Sequence, residues 1–175
     1  MYMQQGKDTI LLVQSTDAAL AAKGMLIGNL TDNSYSIEND VLDESTKFGR
    51  IVGYGQNSES FEFTAYGETA DPGQKSVLDA IKNKKQLKVW EVDINLNETG
   101  KHNAVFAYTI VESVEKSSPQ DGFVEVSATV QVIGSTQDGE IDALPPEMID
   151  FAKYGFEAPG ASTGEFPEQK TTVTP

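Results

Sequence analysis

Between residues 59 and 66 apolar and polar side chains alternate one by one. Phe61, Phe63 and Ala65 fall on one side, Glu62, Thr64 and Tyr66 on the other. A period of two predicts a β-strand with one buried face. The same period runs from Gln86 to Ile94, with Lys88, Trp90, Val92 and Ile94 opposite Leu87, Val89, Glu91 and Asp93. It is clearest from Phe123 to Ile133. There Val124, Val126, Ala128, Val130 and Val132 lie opposite Glu125, Ser127, Thr129 and Gln131. One dry face and one wet face are expected of an antiparallel sheet. Ala104 to Glu115 is a long β-branched and aromatic stretch. Between these last two segments lies Lys116 to Gly122, with Pro119 and Asp121-Gly122, which predicts a turn and hence a long hairpin. The run Ile10-Leu11-Leu12-Val13 reads as a short buried strand, and Met25-Leu26-Ile27 is a weaker candidate.

A helix is predicted over residues 72–84. Asp71 can cap it, Pro72 suits its first turn, and Val77, Leu78 and Ile81 make an apolar stripe. Lys82, Lys84, Lys85 and Lys88 follow at its C-terminal end, where cations oppose the helix dipole. A second, short helix is expected around Pro146 to Tyr154, with Met148, Phe151 and Ala152 apolar. Two stretches give no regular pattern. Residues 31–55 read as a long loop, and a loop of that length in a small domain is usually functional or disordered. Its section Phe48-Gly49-Arg50-Ile51-Val52-Gly53-Tyr54-Gly55 carries side chains that need something to order against. From Ala158 onward the Pro, Gly, Ser and Thr content predicts a flexible tail. The organisation expected is therefore one domain over residues 1–157 and a tail over 158–175.

Composition narrows the chemistry. Acidic side chains number 27 against 13 basic, a net charge of -14. The imbalance is concentrated in residues 89–175, which hold 15 acidic and 4 basic side chains. Such a chain does not grip nucleic acid by clustered cations. With 0 cysteines, thiol catalysis, disulfides and Cys-based metal sites are excluded. No apolar run is long enough for a membrane span, and the first residues lack a signal-peptide core, so synthesis in the cytoplasm and no membrane partner are expected.

No catalytic constellation emerges. Acidic pairs suited to glycoside hydrolysis arise by chance at this composition, and the only tryptophan, Trp90, sits on an alternating strand. The single histidine, His102, falls in the polar segment Asn97 to Asn103 and reads as a surface-turn residue without a nucleophile elbow to serve. Asp138-Gly139-Glu140-Ile141-Asp142 lacks the ligand spacing of a calcium loop and reads as a turn. Gly53-Tyr54-Gly55 lacks the third glycine of a dinucleotide fingerprint. The expectation is no enzyme, no cofactor and no metal, but a structural protein whose copies cover each other's open strand edges, most economically in a closed ring.

A family resemblance points the same way. Leu42 to Gly53, Ala70 to Val77, Lys88 to Asp93, and Gln131 to Gly134 followed by Asp138 to Pro145 resemble, in order, the major tail tube protein of long, flexible-tailed (siphovirus) bacteriophages of Gram-positive hosts. The resemblance spans residues 8–155. It implies a mainly β fold, an antiparallel sandwich or barrel with one flanking helix, as in the tubes of contractile tails and type VI secretion. It implies homohexameric rings stacked into a virion tail tube, with the tape measure protein inside, tail terminator and distal tail proteins at the ends, and double-stranded DNA passing through unbound. In this reading residues 35–55 reach the neighbouring ring, and the contact candidates are Asp40, Asp43, Glu44, Phe48, Arg50, Ile51 and Tyr54. Arg50, the only arginine, is expected to pair with a carboxylate of another copy. A bore that DNA must cross should repel phosphate, so Glu91, Asp93, Glu112 and Glu125 are the candidate lining carboxylates, on a period-2 assignment that one step of register would reverse. The alternative is a carbohydrate- or receptor-binding β-sandwich decorating the virion, and a weaker third is a hydrolase using paired carboxylates.

Overall fold

The computed structural model describes residues 3–149 and Pro159. Two compact units divide the chain, Met1–Ala143 and Leu144–Pro175. In the first, a short 3-10 turn at Gly6–Asp8 leads into β1 (Thr9–Ser15) and β2 (Met25–Leu26). Next come β3 (Leu30–Thr46), β4 (Gly49–Tyr66), α1 (Pro72–Asn83), β5 (Gln86–Leu96), β6 (His102–Ser117), β7 (Glu125–Val132) and β8 (Gln137–Ile141). All pair antiparallel in one sheet of order β2-β1-β5-β6-β7-β4-β3, with β8 joined to the first part of β6. The mainly β fold with a flanking helix is thus as expected.

One side of the sheet is the core. Leu11 and Val13 of β1, Phe61, Phe63 and Ala65 of β4, Leu87 and Val89 of β5, Ala107 of β6, and Ala128 and Val130 of β7 meet there. These are the dry faces of the alternating strands. Asn33 on β3 donates to the Glu91 carboxylate on β5 (3.1 Å), so β3, at one end of the sheet order, curls back over β5 near the other end.

Helix α1 packs into this core through Val77 and Ala80, with Gly73 and Gln74 also buried. The expected stripe is shifted: Leu78 is 41% exposed. Gly73 lets the helix lie against β2, since a Cβ there would fall 2.3 Å from the Leu26 carbonyl oxygen. Asp71 caps the helix as predicted, its Oδ1 accepting from the Gln74 amide (2.9 Å). Its Oδ2 accepts from the Gly28 amide (2.6 Å), so one buried carboxylate ties the helix start to the segment before β3. Asp71→Ala removes the cap and strands a second donor. It is expected to destabilise by about 2–3 kcal/mol, read as a lower urea midpoint at unchanged m-value.

Three expectations fail. Residues 35–55 are not a loop but most of the β3–β4 hairpin, turning at Lys47-Phe48. The hairpin hides from a periodicity search because its outer half has no dry face to alternate against. Residues 138–142 are not a turn: the strand β8 occupies Gln137–Ile141, in register with His102 to Phe106. His102, in turn, is not a surface residue. It opens β6, is 1% exposed, and donates from Nδ1 to the Asp93 carbonyl (3.0 Å).

In the second unit a helical turn, α2, occupies Pro146–Ile149. The rest of the helix expected to Tyr154, the boundary at 157 and the tail from 158 apart from Pro159 lie outside the described residues.

Candidate assembly surfaces

The side of the sheet away from the core is wet across four neighbouring strands. Register sets Asp32 beside Thr64 and Ser127, Ser34 beside Glu62 and Thr129, and Ser36 beside Ser60 and Gln131. Tyr66 lies beside Glu125. From β6 come Ile110, Ser113, Glu115 and Ser117, opposite Gln131, Thr129, Ser127 and Glu125. Glu112 is the extra residue of a bulge between Val111 and Ser113, and its carboxylate accepts from Gln131 Nε2 (2.5 Å). This face of β3, β4, β7 and the second half of β6 therefore presents Asp32, Glu62, Glu112, Glu115 and Glu125. It carries no lysine or arginine among the described residues. On the same side of the sheet, β5 adds Lys88, held over the Tyr108 ring 5.7 Å from its centroid.

Two of the four candidate carboxylates, Glu112 and Glu125, sit on this face. Glu91 does not. It shares the core side with Leu87 and Val89 and is half-buried. Desolvation raises its carboxyl above the ordinary value, and the Asn33 hydrogen bond opposes that shift. Asp93 follows Glu91 in the alternation and is engaged locally, accepting from Gln4 Nε2 (3.1 Å) and the Asn95 amide (2.9 Å). Strand 86–96 is apolar on both faces, so alternation alone could not orient it. Asp32, Glu62 and Glu115 are the carboxylates that this selection missed. The polar side of 59–66 pointed to Glu62, whereas Asp32 was hidden in the supposed loop.

The four-strand patch ends in open edges. Among the described residues β3 pairs only with β4, and residues 111–117 of β6 pair only with β7. Unpaired edges of this length invite another strand.

Beyond Ser60, β4 has only β3 as a neighbour, so residues 37–46 and 49–59 form a two-stranded arm. The register puts Val41, Asp43, Val52, Tyr54 and Arg50 on one face, and Leu42, Glu44 and Ile51 on the other. Phe48 at the tip is fully exposed and Tyr54 is 90% exposed. A free two-stranded ribbon is marginal in water. This one exposes apolar side chains on both faces. Arg50 grips Asp43 through Nε and Nη2 (2.6 to 3.0 Å), which holds the Asp43 carboxyl below its ordinary value. The carboxylate partner foreseen for Arg50 thus lies on its own arm. Such an exposed pair adds little to the fold. Asp40 stands at a bulge between Asn39 and Val41.

The arm's root is fixed by Glu59, which is buried. Its Oε2 accepts from Tyr35 Oη (2.6 Å), Thr136 Oγ1 (2.7 Å) and the Thr136 amide (3.2 Å). The Tyr35 bond chiefly, with those of Thr136, holds this carboxyl below its ordinary 4.5 against the effect of burial. A depressed folded-state pKa contributes stability above the ordinary value, and that stability is lost as pH falls through the folded one. Glu59→Gln should therefore unfold more easily than wild type at pH 7, with the gap closing below about pH 4.5 in urea titrations.

A model of the phage tail tube protein family matches residues 3–138. The chain belongs to this family. It is 44% identical to tail tube protein gp17.1* of Bacillus phage SPP1 over 164 residues, 93% of this chain and 62% of that one. The tail tube chain thus spans less than two thirds of the length of that relative. A putative tail protein of Staphylococcus phage phiMR11 is 33% identical over 149 residues, covering 81% of this chain and 77% of its own. The solved SPP1 tail tube superposes with a TM-score of 0.78 at 41% identity, covering 93% of this chain and 96% of that one. The tail of an empty GTA particle shares the fold alone, at TM-score 0.61 and 15% identity over 77% of this chain and 98% of that one. The family is one of structural tail proteins of phage virions, and the solved relative is itself a tail tube.

Proposed function

We propose that six copies close into a ring, that rings stack into the hollow tail tube of a siphovirus, and that the genome leaves through the bore. The observation that carries this reading is the four-strand wet face with five carboxylates, bounded by two open edges. Joining the β3 edge of one copy to the 111–117 edge of the next would satisfy both rows of backbone groups. It would also continue the sheet around the ring, with the wet face towards the axis. Across that patch DNA charge then meets carboxylates and uncharged side chains but no cation, so contacts do not accumulate from ring to ring. The arm would reach the adjacent ring, with Arg50 contributing there alongside its Asp43 pair. The tape measure protein would fill the bore before ejection, and terminator and distal tail proteins would close the ends.

Cryo-EM of the purified chain tests the reading. Hollow filaments with Glu62, Glu112 and Glu125 towards the hole are expected. A monodisperse monomer at high concentration, or a bore lined by Lys82, Lys84 and Lys85, would overturn it.

A further inference from the structure

The arm and a second apolar patch stand at opposite ends of one strand. Strand β4 runs from Gly49, beside the arm tip, to Tyr66, a span of about 60 Å for a fully extended chain. At its far end Tyr66, 45% exposed, packs at a tilt of 58° against Phe123, 78% exposed, with ring centroids 5.6 Å apart. The patch is anchored: the Gly67 amide donates to the Val124 carbonyl (2.7 Å), and a Cβ on Gly67 would fall 2.8 Å from Val124 Cγ1. Glu125 lies in register with Tyr66, and Asp121 precedes Phe123 by two residues. Lys47 and Arg50 occupy the arm tip.

We propose that the arm of one copy seats on the Tyr66–Phe123 pair of a second copy stacked head-to-tail upon it. This rests on the tube reading and names the surface that receives the arm. Three features argue for that partner. Each surface is apolar and uncovered, Lys47 at the arm tip is in none of the ion pairs of the described residues while Asp121 and Glu125 flank the receiving patch, and the placement of the two surfaces at the two ends of β4 makes the contact heterologous. A heterologous contact between ends repeats without limit, as a filament requires. Another exposed apolar group among the described residues, Tyr108, Ile110 and Ile133, lies along the side of the sheet rather than at the end of β4.

Because the chain has 0 cysteines, cross-linking reads the contact directly. Phe48→Cys/Phe123→Cys chains, assembled and treated with a short bis-maleimide, should give a ladder of dimers, trimers and higher chains on denaturing gels. Each single variant should give no ladder. A Phe123→Cys chain that stops at rings supports the contact through lost elongation, as Phe123→Asp should. Normal tubes without the ladder, or a ladder from Phe48→Cys/Ile110→Cys instead, would overturn the docking while leaving the tube intact. Failure of the wild-type chain to form tubes would instead sink the reading beneath it.

Discussion

Replacing Phe48, Ile51 and Val52 together by serine should leave a folded chain that forms rings but no tubes. All three side chains are more than half exposed in the single chain, so their loss removes nothing from its core. Thermal unfolding should shift little, because surface substitutions away from special features usually stay within about 0.5 kcal/mol. In an assembled tube the account differs. Full burial of such side chains contributes about 1.5–3 kcal/mol each, so three of them supply roughly 5–9 kcal/mol per arm before the cost of association is subtracted. With one arm per copy and several copies per ring, that sum dominates the attachment of each new ring. Lateral edge pairing would use the inner part of β3, where it lies over the β4–β7 sheet, and residues 111–117 of β6 rather than the arm, and should persist. Electron micrographs and sedimentation together give the answer. Annuli without filaments are expected, and tubes of ordinary length would show that the arm is dispensable for stacking.

The alternating strands were legible because each has one dry face. The dry positions of 61–65 and 124–132 supply five core side chains, Phe61, Phe63, Ala65, Ala128 and Val130. The helix was legible from Asp71 and Pro72, which act locally. What escaped notice is set by partners distant in the chain or absent from it. Residues 37–59 form strands because each copy pairs them with each other, while their apolar side chains await another surface. Strand β8 is short and polar, and is a strand only because β6 offers it an edge. The place of Glu91 on the core side was hidden for a related reason. Both sides of β5 are covered in part, with Val92 as buried as Leu87, so nothing in the local pattern says which side is the core. Glu112 and Glu125 could be placed because β7, their neighbour or their own strand, has an unambiguous wet side.

Reversing charge on that wet side should leave assembly intact and stop the passage of DNA. Glu62→Lys/Glu112→Lys/Glu115→Lys changes three exposed side chains of that face away from the Tyr66–Phe123 patch, none of which is in an ion pair among the described residues. The triple variant should therefore fold and form tubes. Its bore, in the proposed hexamer, would carry three rows of cations on every ring. For 6–10 phosphate contacts, affinity already changes by about 10³–10⁵ between 50 and 200 mM salt. A duplex threading many rings would make far more contacts than that. The expected result is retention: variant particles should release their genome slowly or not at all at low salt and recover as salt is raised, whereas wild-type release should depend little on salt. Open-ended variant tubes should likewise take up short duplex DNA that wild-type tubes exclude. Lys88 offers an internal comparison, since it lies on the same side of the sheet beyond Tyr108 and outside the acidic patch. Lys88→Glu should leave both release and uptake unchanged. If the triple variant ejects DNA as readily as wild type at every salt concentration, these carboxylates do not face the bore, and the acidic face must be the outer wall of the tube.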